Sequence, residues 1–509
     1  MKTILINILL IFLFQSLSAQ VTFQKVYGGL CCEWGGAVQE TTDGGYIIGG
    51  TNEGPDMYLV RVDFNGDLLW SKSYGGTGYD FGNSVRQTTD GGFIIVGRTT
   101  SFGSGNNDVY AVKTDVNGDT LWSKTYGGIG DDEGYSVYQT TDGGYIIAGR
   151  TNSFGTYDVF LIRTDISGNS LWTKTYGGSL GDKGSLVQQT SDGGYVIVGE
   201  TSSFGTGAND VYLIKVDSIG NINWSRTYGE AFDERGYSVQ QTLDGGYIIV
   251  GETQNGSSVY LVKTEANGNA LWSKIYGTVD DDNGYSVQQT SDGGYIIGGT
   301  IISFGAPHSE AYLIKTNNTG DTLWTKTFGG TGYDVFSAVE ETTDGGFVLT
   351  GSMGSFGSSY NVYLVKTDIN GNSGCNEIST QTNVTIPGII VTSPATATTS
   401  PSSVDTSPAT VIISGGADST LCTTVGINEF TTTDTLVAFP NPFSTELHIK
   451  TGNKTNSEII FYDIGSRKLL QQKFIGEISI RTDQFARGLY IYRVQDQSGL
   501  IINGKILKN

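Results

Sequence analysis

The chain has 509 residues, among them 74 glycines, 8 prolines and 2 histidines. That length holds two to four domains, and abundant glycine suits short strands joined by tight turns, since glycine reaches φ > 0 without steric cost. A formal net charge of −21 argues against nucleic acid, whose phosphates need Lys and Arg, and favours solubility.

Residues 1–19 read as a secretory signal. Lys2 gives the positive start, Ile4 to Phe14 is mostly apolar, and Ser16, Ser18 and Ala19 place small residues before a cut at Ala19/Gln20. The run is shorter than the roughly 20 residues a membrane-spanning helix needs, and no later segment is long and apolar enough to span. The cysteines are Cys31, Cys32, Cys375 and Cys422. Export permits disulfides, and Cys375–Cys422 is the favoured pair because Cys31 and Cys32 are neighbours with awkward geometry for each other. His308 and His448 lack ligand-like neighbourhoods, so a metal site built on histidine is not expected.

From residue 20 to 374 the sequence repeats. Asp-Gly-Gly-(Tyr/Phe) starts at Asp43, Asp90, Asp142, Asp192, Asp244, Asp292 and Asp344, about 50 residues apart. In the third repeat Gly134–Thr140 alternates as a first strand, a, and Thr141–Gly144 is a tight hairpin turn. Tyr145–Arg150, Asp158–Thr164 and Leu171–Tyr176 read as strands b, c and d. Four strands per unit is the pattern of a propeller blade. The ends of the array match. Phe23–Gly29 aligns without gaps on the strand d sequence Trp70–Gly76, and the seventh repeat stops after strand c, near Asp368. The expected fold is therefore all-β: a closed seven-bladed β-propeller whose N-terminal strand completes the last blade, followed by a small C-terminal β-sandwich.

One aromatic slot on strand d holds Phe23, Trp70, Trp122, Trp172, Trp224, Trp272 and Trp324. It is expected to pack blade on blade. With the Asp-x-x-Gly-(Asn/Asp)-x-x-Trp pattern of Asp115 to Trp122, it resembles the tryptophan-docking turn of quinoprotein-type propellers; none of that family's cofactor ligands can be placed here. The whole array resembles the seven-bladed repeats of secreted bacterial proteins. That resemblance implies that strand a lines a central channel.

An acidic residue lies ten positions before each Asp-Gly-Gly aspartate: Glu33, Asp80, Asp132, Asp182, Glu234, Asp282 and Asp334. Two readings stand. The seven could ring the channel mouth and hold Ca²⁺ or another hard cation through oxygen ligands. Alternatively each carboxylate fixes its own loop by accepting backbone N–H bonds. A second acidic slot opens strand c at Asp56, Asp108, Asp158, Asp210 and Glu310, with Ser258 and Asn361 in the other repeats.

Residues 375–435 are rich in Thr and Ser, with Thr-Ser-Pro at 392, 399 and 406, and read as a spacer stalk with some β structure, in which Ile389-Ile390-Val391 and Val411-Ile412-Ile413 are expected as short strands packed on the propeller. Residues 436–509 resume strand-like alternation. Pro440-Asn441-Pro442-Phe443, Gly488 and Tyr490 near the end, and the basic last strand with Lys505 and Lys508 resemble the C-terminal sorting domain of the type IX secretion system of Bacteroidetes. The resemblance implies recognition by that secretion machinery, removal of the domain, and release or attachment at the cell surface. No catalytic constellation stands out, since the carboxylates recur seven times rather than marking one centre. The expected role is an exported binding or adhesion module for a glycan or protein ligand. The alternatives are a structural surface component and, less favoured, a glycan-cleaving propeller enzyme.

Overall fold

The computed structural model describes residues 20–28, 33–254, 258–277, 281–302, 308–355 and 360–380 and, from there to 508, the strands named below with their flanks. The expected secretory signal, Cys31, Cys32 and the Pro440–Phe443 motif lie outside the described residues. Every regular element among those described is a β-strand. The chain forms one compact unit ending at Thr424 and another beginning at Val425.

In the first unit each Asp-Gly-Gly repeat builds one antiparallel sheet, numbered 1 to 7 here in chain order. The strands a are Trp34–Glu40, Asp80–Gln87, Asp132–Gln139, Asp182–Gln189, Glu234–Gln241, Asn283–Gln289 and Asp334–Glu341. Sheet 3 continues with b Tyr145–Thr151, c Asp158–Thr164 and d Ser170–Gly177, and the other sheets follow suit. Sheet 7 draws its fourth strand from the other end of the unit: Val21–Gly28 pairs with Asn361–Thr367, Phe23 opposite Lys366 and Tyr27 opposite Val362.

Each residue of the repeat has a local reason. The first glycine of Asp-Gly-Gly has φ between +80° and +87° in all seven copies, which L side chains adopt only with strain. The turn's aspartate caps its own hairpin and receives a buried cation from strand c, as in Arg61–Asp43, Lys113–Asp90 and Lys366–Asp344. The invariant glycine on strand b lies under a carbonyl of strand a: a Cβ on Gly149 would sit 1.7 Å from the oxygen of Glu133. Strands b and c are buried along nearly their whole length, so their Val, Ile, Leu and aromatic side chains form the core between sheets.

Neighbouring sheets are joined by repeated bonds. The backbone N–H two residues into the a–b turn donates to a side-chain oxygen ending strand a of the next sheet. The pairs are Thr42–Gln87, Thr89–Gln139, Thr141–Gln189, Ser191–Gln241, Leu243–Gln289, Ser291–Glu341 and Thr343–Glu40, at 2.7–3.0 Å. The last of these links sheet 7 to sheet 1. Trp34 Nε1, also in sheet 1, donates to Ser337 Oγ of sheet 7 at 3.1 Å. Strand a of each sheet neighbours strand a of the next, and Asp334–Glu341 neighbours Trp34–Glu40.

The Thr- and Ser-rich segment contributes short strands to these sheets. Glu377–Thr380, Asn383–Thr385, Ile390–Thr392, Ala397–Thr399 and Val411–Ser414 each add a fifth strand, to strand d of sheets 6, 5, 4, 3 and 1 respectively. Ala417–Val425 then lies beside Val21–Gly28 in sheet 7. An extended Thr-rich chain has unpaired backbone groups, and so does the outer edge of each sheet; pairing them satisfies both.

The second unit orders seven antiparallel strands as Leu436–Phe439, Glu446–Thr451, Glu477–Arg481, Lys468–Ile475, Asn456–Asp463, Gly488–Asp496 and Ile501–Lys508. The two parts of that order are joined by a single pair, Ile475 opposite Glu477. Leu447, Ile449 and Ile480 from one part share a core with Ile459, Phe461, Tyr490 and Val494 from the other. The expected sandwich of two sheets is thus one continuous strand order around one core. Gly488 pairs with Lys508, and Lys505 with Ile491; the Lys508 ammonium donates to the carbonyl of Thr482.

Candidate functional site

The seven slot carboxylates are all buried, at 4 % exposure or less, and where their bonds are described they go to the loop leading into strand a and to the end of strand b or the b–c loop. Asp80 accepts from Gly76 N (2.8 Å) and Ser101 Oγ (2.6 Å), and Asp132 from Gly128 N (2.8 Å) and Ser153 Oγ (2.6 Å). Asp182 accepts from Gly178 N and Ser203 Oγ, and Asp334 from Gly330 N and Ser355 Oγ. Glu234 accepts from Glu230 N and Thr253 Oγ1, and Asp282 from Ile302 N. Glu33 donates its backbone N–H to Tyr360 O. Among the described residues no group of three or more His, Cys, Asp or Glu is placed to hold a metal ion. These bonds are of the kind expected where each carboxylate fixes its own loop, and for Asp80, Asp132, Asp182 and Asp334 a serine of the b–c loop, invisible from strand a alone, is one of the donors.

The second acidic slot packs against the first. A Cβ on Gly177 would fall 2.1 Å from Asp158 Oδ1 and 2.6 Å from Asp182 Oδ2, and Gly75 and Gly127 sit likewise between Asp56 and Asp80 and between Asp132 and Asp108. Burial, together with the charge of the neighbouring Asp182, pushes Asp158 up to about 6; burial and Asp80 do the same to Asp56. A carboxyl raised above its unfolded value binds its proton more tightly in the folded state. Its contribution is therefore present at low pH and is lost as pH rises from about 4 through about 6. Asp158→Asn is accordingly expected to raise the melting temperature at pH 7.5 and to leave it nearly unchanged at pH 4, as calorimetry at the two pH values would record.

The aromatic slot joins sheets. Phe23, Trp70, Trp122, Trp172, Trp224, Trp272 and Trp324 meet Tyr46, Phe93, Tyr145, Tyr195, Tyr247, Tyr295 and Phe347 of the following sheet, with centroids 5.7–6.2 Å apart and planes at 60–66°. Edge contacts of this kind are favourable for aromatic pairs. Each also covers a c–d turn glycine of that sheet, as Trp122 covers Gly168 and Phe23 covers Gly66. Phe23, from sheet 7, makes these contacts with sheet 1.

What the seven strands a enclose is a cavity of about 260 Å³. Its lining departs from the repeat. At one position of strand a Tyr135, Tyr237 and Tyr285 face the cavity beside the small Gly36, Ser185 and Ser337. Three residues further along stand Arg86, Tyr138 and Glu340, where other sheets have Gln188, Gln240 and Gln288. These glutamines accept backbone N–H bonds from the next sheet: Gln241 to Gln188, Gln289 to Gln240 and Glu341 to Gln288, at 2.5–2.7 Å. Arg86 cannot accept such a bond. Burial pushes Glu340 up to about 7 against the opposing pull of Arg86.

Two positions before Tyr135, Ser185 and Tyr237 along strand a lies a charged group that sequence reasoning missed. Glu133 accepts from Arg98 (3.0 Å), Arg150 (2.9 Å) and the Tyr135 hydroxyl. Arg235 bridges Glu200 (2.9 Å) and Glu252 (2.8 Å). The Lys183 ammonium lies 4.5 Å from the Tyr135 ring centroid, and burial lowers its pKa. The available signal was variation: the residue after each slot carboxylate is Trp34, Phe81, Glu133, Lys183, Arg235, Asn283 or Val335 in copies otherwise nearly identical. His308 packs on Tyr333 at 4.6 Å.

Against known proteins, residues 437–509 match the secretion system C-terminal sorting domain. The class this defines is a chain delivered through the type IX secretion machinery, extracellular or at the cell surface. No curated protein matches. Among solved structures the chain is similar to the extracellular domain of a hybrid two-component system from B. thetaiotaomicron, at 9 % identity and TM-score 0.43, over 97 % of this chain and 59 % of that one. It is also similar to a protein of unknown function from Dyadobacter fermentans, at 13 % identity and TM-score 0.38, over 68 % of this chain and 98 % of that one. No helix of the described residues is long and apolar enough to cross a membrane.

Proposed function

We propose that the seven sheets close into a seven-bladed β-propeller that serves, once exported, as a binding module whose ligand enters the central cavity. Closure is supported by the Val21–Gly28 pairing with Asn361–Thr367 and by the Thr343–Glu40 bond. The single observation that carries the binding reading is the broken symmetry of the cavity. Residues that build the scaffold recur in all seven copies, while Tyr135, Tyr237, Tyr285, Arg86 and Glu340 do not. A purely structural ring has no use for such variety. Aromatic faces beside a few fixed polar groups suit a small polar ligand such as a sugar ring or the end of a glycan chain.

Binding is favoured over catalysis because the slot carboxylates are tied into their loops and the charged group above the cavity is internally paired. A glycan array probed with the full chain, and with Tyr237→Ala and Tyr285→Ala, tests the reading. Hits weakened at least tenfold by either substitution are the expected result. An array without hits, or hits untouched by both substitutions, would favour the structural surface role.

A further inference from the structure

We infer that residues 375–425 are a belt around the propeller, closed on itself by a disulfide between Cys375 and Cys422. Three observations carry this. The first is order. The added strands meet sheets 6, 5, 4, 3, 1 and 7 in that sequence, which runs round the sheets opposite to the sense in which the chain built them. Their starts at 377, 383, 390 and 397 lie six or seven residues apart, and the next, at 411, comes after twice that step. Among the described residues no added strand meets sheet 2, and the longer step runs through residues 400–410, which lie outside them. The Thr-Ser-Pro spacing of seven in the sequence is thus the step from one sheet edge to the next.

The second observation is where the belt begins and ends. At its start the Gln24 side chain, on Val21–Gly28, donates to the Cys375 carbonyl and to Ser373 Oγ (2.7 Å), while its oxygen accepts from the Tyr363 hydroxyl (2.6 Å) and from Asn376 Nδ2 (3.4 Å). At its end Ala417–Val425, the strand that carries Cys422, lies beside that same Val21–Gly28. The belt leaves one strand, passes the other sheets, and returns to the strand it left. The third observation is that Cys375 is disulfide-bonded. Cys422 follows in the chain and sits on a strand next to the one that anchors Cys375, while Cys31 and Cys32 lie outside the described residues.

The chemistry suits the place. The last sheet is completed by the N-terminal strand alone, so without the belt the closure depends on hydrogen bonds and side-chain packing. A covalent loop across that same strand restricts the unfolded chain, and an exported protein meets the oxidising surroundings in which such a bond persists. The sorting-domain match begins only at residue 437. Removal of that domain after Val425 would therefore leave the belt on the mature protein.

The test uses the full chain, purified without reductant and blocked with an alkylating agent. Peptide mapping by mass spectrometry is expected to find Cys375 joined to Cys422; finding Cys375 joined to Cys31 or Cys32 would overturn the inference. The unfolding rate in guanidinium is then compared with and without dithiothreitol, on wild type so that no variant need fold anew. Reduction is expected to speed unfolding at least tenfold, and Cys422→Ser to unfold at the reduced rate with or without reductant. A wild-type rate unchanged by reduction would show that the loop does not hold the ring.

Discussion

A chain lacking Val21–Gly28 is expected to lose cooperative folding of the whole first unit, seen as the absence of a sharp thermal transition and as aggregation in size-exclusion chromatography. The strand is only eight residues long, yet Phe23, Gln24, Lys25, Val26 and Tyr27 are all buried in it. Burying Phe23, Val26 and Tyr27 stabilises by about 1.5–3 kcal/mol each. Their sum approaches the whole stability of a typical domain, about 5–15 kcal/mol. The deletion also exposes the edges of Asn361–Thr367 and Ala417–Val425, both of which template further pairing. Phe23→Ala alone removes one ring contact and is expected to cost about 3–5 kcal/mol, measured as a shift in the guanidinium midpoint. If the deleted chain kept a transition like that of the full one, the N-terminal strand would have no part in holding the fold.

The second large effect is expected at a glycine. Gly149→Ala sets a Cβ 1.7 Å from the Glu133 carbonyl oxygen, a backbone atom that cannot rotate away. Strands a and b must separate there, and the expected cost exceeds about 3 kcal/mol, as for overpacking at its most severe. Gly193→Ala is the informative comparison. Its φ is +80° but nothing lies within 4 Å of the added atom, so it should cost only about 1–2 kcal/mol, the penalty of the left-handed conformation. Denaturant titrations of the two variants check the difference. Equal losses would mean that turn conformation, and not the close approach of strands a and b, is what requires glycine in this repeat.

The scaffold was largely legible in the sequence because its determinants are local and recur seven times. The Asp-Gly-Gly turn needs one φ > 0 glycine and one cation on strand c, and both stand in every copy. The match of Phe23–Gly29 to Trp70–Gly76 pointed directly to the pairing with Asn361–Thr367. Short strands near Ile389–Val391 and Val411–Ile413 were legible, but not their order around the sheets: pieces of three residues have no periodicity, and the partners of Ile390–Thr392 and Ala397–Thr399 lie some 160 to 220 residues away. The partners of the slot carboxylates were hidden for a related reason. Ser101, Ser153, Ser203 and Ser355, which donate to Asp80, Asp132, Asp182 and Asp334, stand about twenty residues further on, so strand a alone shows seven acids and none of their partners. Invariance across the copies marked scaffold. The residues that differ, Glu133, Lys183 and Arg235 above Tyr135 and Tyr237, mark what is particular to this chain.

One strand, Val21–Gly28, completes the seventh sheet. Hydrogen–deuterium exchange of the full chain, followed by mass spectrometry on peptides covering residues 21–28, tests it most directly. In a sheet, with Asn361–Thr367 on one side and Ala417–Val425 on the other, its amides should exchange as slowly as those of Ser170–Gly177, the same strand of sheet 3. Exchange complete within seconds, while Ser170–Gly177 stays protected, would contradict the closed ring.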